Sequence, residues 1–455
     1  MKKIAIVGAG VAGLAAAYDL TRAGYAVTIF EAAPAVGGLA AGFKSERWDW
    51  HLEHFYHHLF ESDHDILNLI AEIGEADNVI FPRPVTSLYY QDKIYPFDSP
   101  LRMLTFPQLS LPAKFRFGLA GLYLRLTTNW QTLEKETAHN WLRRQMGEQA
   151  YKVLWEPLLI GKFGDYYQDV NMAWFWARIH KRSTRLGYFR GGFQAFLNAL
   201  TAKVRVQGAE IRLNTAITAI HPQAGGSFQI QSGLSVSMNG KDRQHSSPDI
   251  FDQVLTTTSP QLLSRLVPVL PKDYLASLNE LKSMGAVVIA LALKHQLTKQ
   301  HYWINIPKEE KFPFLALVEH TNFIDRQHYD NDHILYLGDY LLPNHEYFTL
   351  SKDEILARFL PSLTRINPKF DASWVKESWL FRAKYAQPVP LINHSRNIPT
   401  LETPIPGLYW ASMSQVYPWD RGTNYAVEIG RRAARLLMSN QQLRKTKAPN
   451  FQPVI

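Results

Sequence analysis

The chain opens with IAIVGAGVAGLAAAYDLTRAGYAVTIFE, residues 4–31, and this stretch decides the fold. Ile4–Val7 is a short apolar run that ends at a glycine, as a buried parallel strand does. Leu14–Arg22 has the apolar spacing of a helix, and Gly24 is placed as its C-cap. Ala26–Phe30 is a second apolar run. The pattern predicts a strand, a helix and a second strand.

Three glycines between the first strand and the helix, Gly8, Gly10 and Gly13, form the pattern GxGxxG. The first glycine permits a tight turn, the second lets the backbone approach a pyrophosphate, and the third lets the helix pack closely on the strand. Glu31 ends the second strand, where a carboxylate can bind the ribose hydroxyls and disfavours a 2′-phosphate. We predict a site for NAD or FAD rather than NADP. An ordinary glycine turn is the alternative.

Composition indicates a globular protein in a reducing compartment. The 455 residues allow two or three domains, and 46% of them are hydrophobic. There is no cysteine, which excludes disulfides, thiolate metal sites and a cysteinyl flavin link. The basic, apolar N-terminus is broken by glycines, so it is not interpreted as an export signal. No apolar stretch is long enough to span a membrane, and a cytoplasmic location is expected.

The net charge of +9 does not come from one basic block. A basic surface suits an acidic substrate, anionic lipid or solubility alone, and no nucleic-acid partner is expected. Residues Phe115–Leu126 are apolar and lie beside Lys114, Arg116 and Arg125. We interpret them as a buried helix under a substrate channel. Peripheral contact with the inner face of the membrane is the alternative, and the oligomeric state is left open.

A second glycine pair, Gly37–Gly38, follows the ribose acid and precedes Leu39. This arrangement resembles the flavoprotein superfamily of amine oxidases, phytoene desaturases and protoporphyrinogen oxidases, which is related in fold to UDP-galactopyranose mutase. The resemblance implies that the pair passes close to the diphosphate and ribityl chain of FAD. Leu39 stands where the family often has arginine, so one polar contact is absent.

The stretch PGLYWASMSQVYPWDRGTNYAVEIGRRAARLLM, residues 406–438, resembles the closing motif of the same superfamily. We predict a strand at Leu408–Ala411, a turn at Arg421–Thr423 and a helix at Asn424–Met438. The resemblance implies that the helix N-terminus points at the N1–C2=O edge of the flavin, where its dipole stabilises the negative charge of the reduced form. Ser412–Met413 replaces a frequent Gly-Asp, which makes that contact weaker or neutral.

The middle of the chain resembles the same family less closely. The resemblance implies that Ile217 clasps the adenine end of FAD through its backbone. The other predicted segments are helices at Asp63–Gly74 and Phe193–Gln207, a hairpin arm at Leu88–Pro96, a surface hairpin region at 223–248, and strands at Ala209–Ile220, Phe251–Pro260, Met284–Lys294 and His333–Tyr340. The cofactor-binding residues predicted in total are Gly8, Gly10, Val11, Ala12, Gly13, Glu31, Ala32, Gly37, Gly38, Leu39, Ile217, Met413, Gly422, Thr423, Asn424 and Tyr425.

Residues 48–60, WDWHLEHFYHHLF, are rich in histidine and aromatic side chains. His54, His57 and His58 with Glu53 could in principle hold a metal, but nothing resembles HExxH, and no metal is predicted. The family resemblance implies a loop that lines the cavity facing the isoalloxazine ring. A plain surface helix is the alternative. Tyr56 is a candidate catalytic residue with His57.

Residues 100–190 are helical and aromatic in pattern and predict an inserted lobe that covers the substrate. Within it Lys162 lies between Gly161 and Gly164. A lysine at this point either orients an acidic substrate or is an exposed turn residue. Lys162 is the third candidate catalytic residue.

The predicted fold class is α/β: a Rossmann-like FAD-binding domain of the glutathione-reductase type, with an inserted α+β substrate domain that includes the helical lobe. The predicted domains are FAD-binding at 1–75, 187–260 and 401–440, substrate-binding at 76–186 and 261–400, and a tail at 441–455.

The first functional hypothesis is an FAD-dependent oxidase, dehydrogenase or desaturase. Such a protein moves a hydride from a C–H bond of a small, hydrophobic substrate to flavin N5. A redox-neutral sugar mutase is the alternative, and it needs arginines to clamp a diphosphate, for which Arg178, Arg182, Arg190 and Arg382 are available. A non-catalytic FAD-binding protein is the third hypothesis.

Overall fold

The structure is a computed structural model and describes residues 1–233 and 249–446. Part of the predicted surface hairpin region, residues 234–248, and the last residues of the predicted tail, 447–455, lie outside the described residues. The described residues form three main layers: a parallel sheet, a mixed seven-stranded sheet and a group of helices.

The parallel sheet has five strands, and apolar side chains fill its centre. Ile6 pairs with Ile29 on one side and with Leu255 on the other, and all three are fully buried. A parallel sheet covered on both faces needs such apolar runs, which explains why the sequence pattern identified its first strands. In spatial order the strands are Glu210–Arg212, Ala26–Phe30, Lys3–Val7, Gln253–Thr256 and Leu408–Trp410.

Two glycines let helices pack closely beside this sheet. A Cβ atom at Gly13 would lie 2.0 Å from the carbonyl oxygen of Gly8, and one at Gly430 would lie 2.2 Å from the carbonyl oxygen of Ala12. The close approach at Gly13 lets the first helix pack on the strand before it. The close approach at Gly430 lets the last helix pack against the first helix. The helices on this domain are Val11–Arg22, His64–Glu72, Phe193–Val206 and Thr423–Thr446. The last of them extends beyond the predicted end at Met438.

The predicted strand at Ala209–Ile220 is wrong, because these residues form two strands in two different sheets. Glu210–Arg212 joins the parallel sheet beside Ala26–Phe30, whereas Ile217–Pro222 begins a small antiparallel sheet. Between them Asn214 has a φ of 51°, a left-handed conformation that redirects the chain. The small sheet and the helices that follow it are Ile217–Pro222, Phe228–Ser232, Asp249–Phe251, Pro260–Leu266 and Lys272–Glu280.

The mixed sheet has seven strands and lies across the cavity from the parallel sheet. Its central strand, Ser283–Leu293, is buried along almost its whole length, as its uninterrupted apolar sequence requires. In spatial order the strands are Val375–Pro388, Ser283–Leu293, His333–Leu341, Ala316–Glu319, His301–Asn305, Val85–Tyr90 and Lys93–Pro96. Two helices, Lys352–Phe359 and His394–Asn397, and three pairs of short strands complete this part: Gly42–Phe43 with Leu52–Glu53, and Leu59–Phe60 and Val79–Ile80 with Leu186–Phe189.

The helical lobe is formed by residues 100–180, close to the predicted range. Tyr151–Trp155 is a π-helical turn that leads directly into Glu156–Phe163. Lys162 lies in that helix and is buried, so the interpretation as an exposed turn residue is wrong. The lobe helices are Pro100–Thr105, Leu111–Leu126, Trp130–Leu133, Ala138–Met146, Glu148–Ala150, Glu156–Phe163 and Met172–His180. These layers confirm the predicted α/β fold class with an inserted α+β part.

Candidate functional site

A cavity of about 540 Å³ is lined by the parallel sheet, the seven-stranded sheet and the helical lobe. Carboxyl ends of parallel strands meet at one edge of a sheet, and this is where open α/β sheets bind ligands. At that edge the cavity wall contains the GxGxxG loop after Lys3–Val7 and residues Thr257–Ser259 after Gln253–Thr256. The cavity therefore begins where a dinucleotide would bind.

The glycine loop and Glu31 form the first end of the cavity. Gly10 has a φ of −72°, and a Cβ atom there would meet nothing closer than 4.0 Å, at Gly37 and Gly38. The Glu31 carboxylate accepts hydrogen bonds from the backbone N–H groups of Ala9, at 2.8 Å, and Ala33, at 2.9 Å. These bonds hold the carboxylate in the cavity wall, where it can receive ribose hydroxyls.

The last helix begins in the same wall. Met413, Gly422, Thr423, Asn424 and Tyr425 all line the cavity. The backbone N–H groups of a helix's first turn have no partner within the helix, and its dipole favours negative charge there. This arrangement fits the electron-rich edge of a reduced flavin.

Asn424 also fixes the position of that helix. Its side-chain oxygen accepts a hydrogen bond from the N–H of Ile66, at 3.1 Å, and its amide donates to Asp65, at 3.4 Å. The side chain thus ties the last helix to the helix His64–Glu72. Its own hydrogen-bonding groups are used by the fold.

Three predicted cofactor-binding residues are not in the cavity wall. Gly13 lies behind the loop, where it has the packing role already described. Ala32 is exposed, and Ile217 begins the small antiparallel sheet and packs beside Phe30 and its neighbours. The structure does not bring Ile217 to the cavity. The remaining predicted residues that line the cavity are Gly8, Gly10, Val11, Ala12, Glu31, Gly37, Gly38 and Leu39.

The histidine-rich segment passes along the cavity as a loop and short strands, so the surface-helix alternative is wrong. Tyr56, His57 and His58 all line the cavity. Burial lowers the pKa of His57 to about 4 and that of His58 to about 3, so both rings are neutral near pH 7. Within residues 1–233 and 249–446 no group of three or more metal-ligating side chains is found.

Glu53 anchors this segment from behind. Its carboxylate is buried and accepts hydrogen bonds from the Tyr188 hydroxyl, at 3.0 Å, and from the N–H of Phe193, at 2.8 Å. Burial raises its pKa to about 7 despite these hydrogen bonds. Glu53 was considered only as a metal ligand from the sequence, whereas its position gives it a structural role.

Replacing Glu53 by glutamine is expected to change how stability depends on pH. The folded pKa lies above the ordinary value of 4.5, so the folded protein binds more protons than the unfolded chain between pH 4.5 and 7. The free energy of unfolding of the wild type therefore falls by on the order of 3 kcal/mol as pH rises through that range, because Glu53 is ionised at a cost in the folded protein. Glu53→Gln should gain that amount relative to wild type between pH 4.5 and 8, in urea unfolding at each pH. A constant difference between the two proteins would contradict the burial argument.

A cluster of four charged side chains lies where the lobe meets the last helix. Asp420 accepts hydrogen bonds from Trp174 Nε1 at 3.0 Å and Arg178 Nη1 at 2.7 Å. Arg421 bonds to the Tyr340 hydroxyl, and the Lys162 ammonium lies 4.7 Å from the centre of the same ring. Three cations thus share one carboxylate.

The pKa values follow from this imbalance. Burial would raise the pKa of Asp420, but Lys162, Arg178 and Arg421 together hold it below its usual range. Burial lowers the pKa of Lys162 well below the ordinary value, and Arg178 adds to the effect. Asp420 is therefore ionised, and it is the group that makes the burial of the cations tolerable.

Two more cations face the cavity beyond this cluster. Arg182 lines the cavity with an exposed side chain, and the surrounding protein together with Arg178 lowers its pKa. Lys181 lies 5.0 Å from the ring centre of Trp419. Among the described residues neither side chain forms an ion pair within 4 Å. Positive charge is thus available to a ligand at this end of the cavity.

Several cavity residues were not identified from the sequence. The strand predicted over Phe251–Pro260 ends at Thr256, so Thr257–Ser259 follow it. With its end placed correctly, the rule that ligands bind at strand ends could have identified them. Trp303, Tyr340 and Asp420 come from distant parts of the chain and have no local signal. Of the candidate catalytic residues, Tyr56, His57 and Lys162 all line the same cavity.

Comparison with known proteins agrees with this geometry. The family model described as flavin containing amine oxidoreductase matches residues 11–438. The mitochondrial protoporphyrinogen oxidase of Nicotiana tabacum is 23% identical over 295 residues, which are 56% of this chain and 58% of that protein. The chain thus spans little more than half the length of this relative. The 15-cis-phytoene desaturase of Synechococcus elongatus is 21% identical over 81% of this chain and 80% of its own.

A solved structure supports the fold. Reduced UDP-galactopyranose mutase superposes with a TM-score of 0.70 at 16% identity, and the match covers 97% of this chain and 96% of that one. The likeness at this identity concerns the fold alone. The family match is decisive because it spans nearly the whole chain, from the GxGxxG helix to the last helix. The chain belongs to the flavin-containing amine oxidoreductase family, and its cofactor is FAD.

Proposed function

We propose that the protein is an FAD-dependent oxidoreductase that removes a hydride from a C–H bond of a hydrophobic substrate. The observation that carries the proposal is that one cavity joins the GxGxxG loop to the face of the seven-stranded sheet. Bound FAD supplies the hydride acceptor, at N5 of its ring. The protein holds and orients the substrate and excludes water.

The substrate end of the cavity is largely apolar on the side of the seven-stranded sheet, where Asp339 is the one carboxyl group among the described lining residues. Much of this wall comes from side chains that cannot donate or accept protons, and most large ligand pockets are built in this way. Hydride removal needs few acid–base groups, which agrees with the neutral state of His57 and His58. The apolar lining residues of this end are Leu158, Ala286, Val288, Leu315 and Ala316, with Trp303 beside them.

The charges in the wall favour a neutral or anionic substrate over a protonated amine. On the lobe side the wall contains Lys162, Arg178, Lys181 and Arg182. The carboxylates near them are Asp63, Asp98 and Asp420, and Asp420 is already shared by three cations, one of which is Arg421. Asp339 also lines the cavity and lies 3.7 Å from Lys308. A positively charged amine would approach a surplus of positive charge in a region of low dielectric.

A flavin-dependent sugar mutase is the second candidate function. Arg178 and Arg182, two of the four arginines that the sequence offers for a diphosphate clamp, line the cavity. Arg382 instead donates to the backbone carbonyl of Tyr347, at 2.8 Å, and Arg190 is exposed. Arg421 also lines the cavity, but it shares Asp420 with Arg178. These three arginines support a mutase less well than the apolar wall supports hydride removal from a hydrophobic compound.

The experiment that separates these functions uses the purified holoprotein under anaerobic conditions. The oxidised protein is mixed with a lipophilic polyene or a porphyrinogen in detergent, and separately with a primary amine, while the visible flavin band is followed. Dithionite-reduced protein is mixed with UDP-galactopyranose, and the sugar product is analysed by chromatography.

The proposal expects bleaching by a lipophilic compound and none by the amine. Bleaching by the amine alone would contradict the charge argument. Conversion of the UDP-sugar without bleaching by any C–H donor would establish the mutase. An unchanged flavin and an unchanged sugar in every mixture would favour a protein that binds FAD without catalysis.

A further inference from the structure

Two neighbouring lobe helices, Pro100–Thr105 and Leu111–Leu126, expose an unusual amount of apolar surface. The described residues expose thirteen large hydrophobic side chains, and eight of these are on the two helices. We call this set the outer face, and its members are Leu101, Leu104, Leu111, Phe115, Leu119, Leu122, Tyr123 and Leu126. The expectation that Phe115–Leu126 is a buried helix is wrong, because only one side of it packs on the lobe.

The outer face follows from helical geometry. In the longer helix, Leu111, Phe115, Leu119, Leu122 and Leu126 recur at intervals of three and four residues, so they form one stripe on a 3.6-residue helix. The opposite side carries the buried residues Ala113, Ala120 and Leu124, which pack on the lobe. From the sequence alone, a helix that is apolar on both sides is predicted to be fully buried. Only the structure shows that the rest of the protein covers one side. The stripe therefore has no partner among the described residues.

The charge around the outer face has one sign. Arg102, Lys114, Arg116 and Arg125 lie on the same helices, and no acidic residue occurs anywhere from 99 to 133. Arg116 and Arg125 donate to backbone carbonyls, and among the described residues none of the four cations forms an ion pair within 4 Å. Apolar side chains rimmed by uncompensated cations are complementary to a bilayer that contains anionic lipid.

The length and setting of the helix favour lying on a bilayer over crossing it. A helix of 16 residues is about 24 Å long, shorter than the hydrocarbon core of a bilayer. No helix in residues 1–233 or 249–446 has the length and apolarity needed to cross a membrane. The stripe runs parallel to the helix axis, which lets all of its side chains enter one leaflet together.

The outer face adjoins the wall of the cavity. Arg125 donates to the carbonyl oxygens of Ile179, at 2.9 Å, and Arg182. Arg182 lines the cavity. The helix Pro100–Thr105 starts two residues after Asp98, which also lines the cavity and interacts electrostatically with Arg182. A bilayer against the outer face would therefore lie beside the lobe side of the cavity.

We infer that the outer face docks on the surface of an anionic bilayer, with its apolar side chains in the leaflet and its cations at the headgroups. The docking itself rests on the exposed stripe and its charge. A second consequence, that a lipophilic substrate passes from the leaflet into the cavity, rests on the proposed function. A second copy of the chain fits the face less well, because it would bring the same positive charge.

Vesicle binding of the holoprotein tests the docking. Wild type is sedimented with vesicles of phosphatidylcholine and phosphatidylglycerol in equal parts, and with phosphatidylcholine alone. Binding should be stronger to the anionic vesicles and should weaken with salt. The variant Phe115→Ser, Leu119→Ser, Leu122→Ser should lose at least about tenfold in partitioning, because each fully inserted side chain is worth about that factor.

A matched control removes equally exposed apolar side chains elsewhere. The variant Val206→Ser, Ile250→Ser, Val269→Ser should bind vesicles like wild type, because these residues lie on other surfaces. Flavin content and thermal unfolding show that both variants are folded. Equal vesicle binding by wild type and the outer-face variant would overturn the proposal. A wild-type dimer that the outer-face variant abolishes, without vesicle binding, would assign the face to self-association and also overturn it.

Substrate delivery has its own measurement, which keeps the two proposals separate. If the proposed function holds, the outer-face variant reduces its FAD more slowly with substrate dissolved in vesicles, and as fast as wild type with substrate in detergent. Vesicle binding without any FAD reduction would leave the docking intact and contradict the proposed function. FAD reduction without vesicle binding would contradict the docking and leave the proposed function intact.

Discussion

Gly10→Val is expected to give a folded protein that no longer retains FAD. Gly10 has a φ that any residue can adopt, and a Cβ atom there has no close neighbour in the protein. The valine side chain instead fills the space next to Gly37 and Gly38 where the pyrophosphate must approach the backbone. Losing two charge-assisted hydrogen bonds, worth about 1.5–3 kcal/mol each, weakens FAD binding by at least about a hundredfold.

The measurement is the ratio of flavin absorbance to protein after gel filtration, with circular dichroism to show that the variant is folded. Gly13→Val is the matched control in the same loop. Its Cβ atom would lie 2.0 Å from the carbonyl oxygen of Gly8, so this variant should fail to fold rather than merely lose FAD. Full flavin content in Gly10→Val would remove the loop from the cofactor site.

Asp420→Asn should be strongly destabilising. It leaves Lys162, Arg178 and Arg421 without the carboxylate that they share. Removing one partner of a buried ion pair costs about 3–5 kcal/mol, and the cavity around Asp420 makes the lower end of that range the expectation. The cost should shrink as pH rises, because Lys162, whose pKa is already lowered, then loses its proton. Urea unfolding of both proteins at several pH values measures this.

A double variant identifies the cause of the destabilisation. Lys162→Met in the Asp420→Asn protein removes one of the three unbalanced cations, so it should restore part of the lost stability. In the wild-type background the same change removes a cation that is attracted to Asp420 and should not stabilise to the same degree. Strictly additive effects of the two substitutions would show that charge balance is not what Asp420 provides.

The first 31 residues were predictable because their signals are local. Strand, turn, helix and ribose acid follow one another, and each residue type has a direct steric or electrostatic reason. Gly37, Gly38 and the final helix were instead recognised by their resemblance to the flavoprotein superfamily. These segments supply most of the wall at the cofactor end of the cavity.

The charged cluster could not be predicted in this way. Lys162, Arg178 and Asp420 meet only through the packing of the lobe on the last helix. In the sequence, Lys162 between two glycines looked equally like a turn residue. Local pattern does not say which distant carboxylate will approach a lysine, so neither its burial nor its partners could be inferred.

Two errors have a related cause. The alternating residues of Ala209–Ile220 predict one strand. The pattern indicates which side chains are buried, but not which sheet the strand joins, and the two halves join different sheets. The helix Leu111–Leu126 is apolar on both sides, and the sequence cannot show that protein covers only one of them. Both features depend on the position of the rest of the chain.

The central claim is that the protein removes a hydride from a hydrophobic substrate held in this cavity. The most direct test is the rate of anaerobic FAD reduction in a single turnover, at saturating substrate, with hydrogen or deuterium at the C–H bond that breaks. The account predicts that one equivalent of substrate reduces the bound FAD, and that the deuterated compound reacts more slowly. FAD that stays oxidised with every such substrate, or is reduced at the same rate by both isotopic forms, would contradict it.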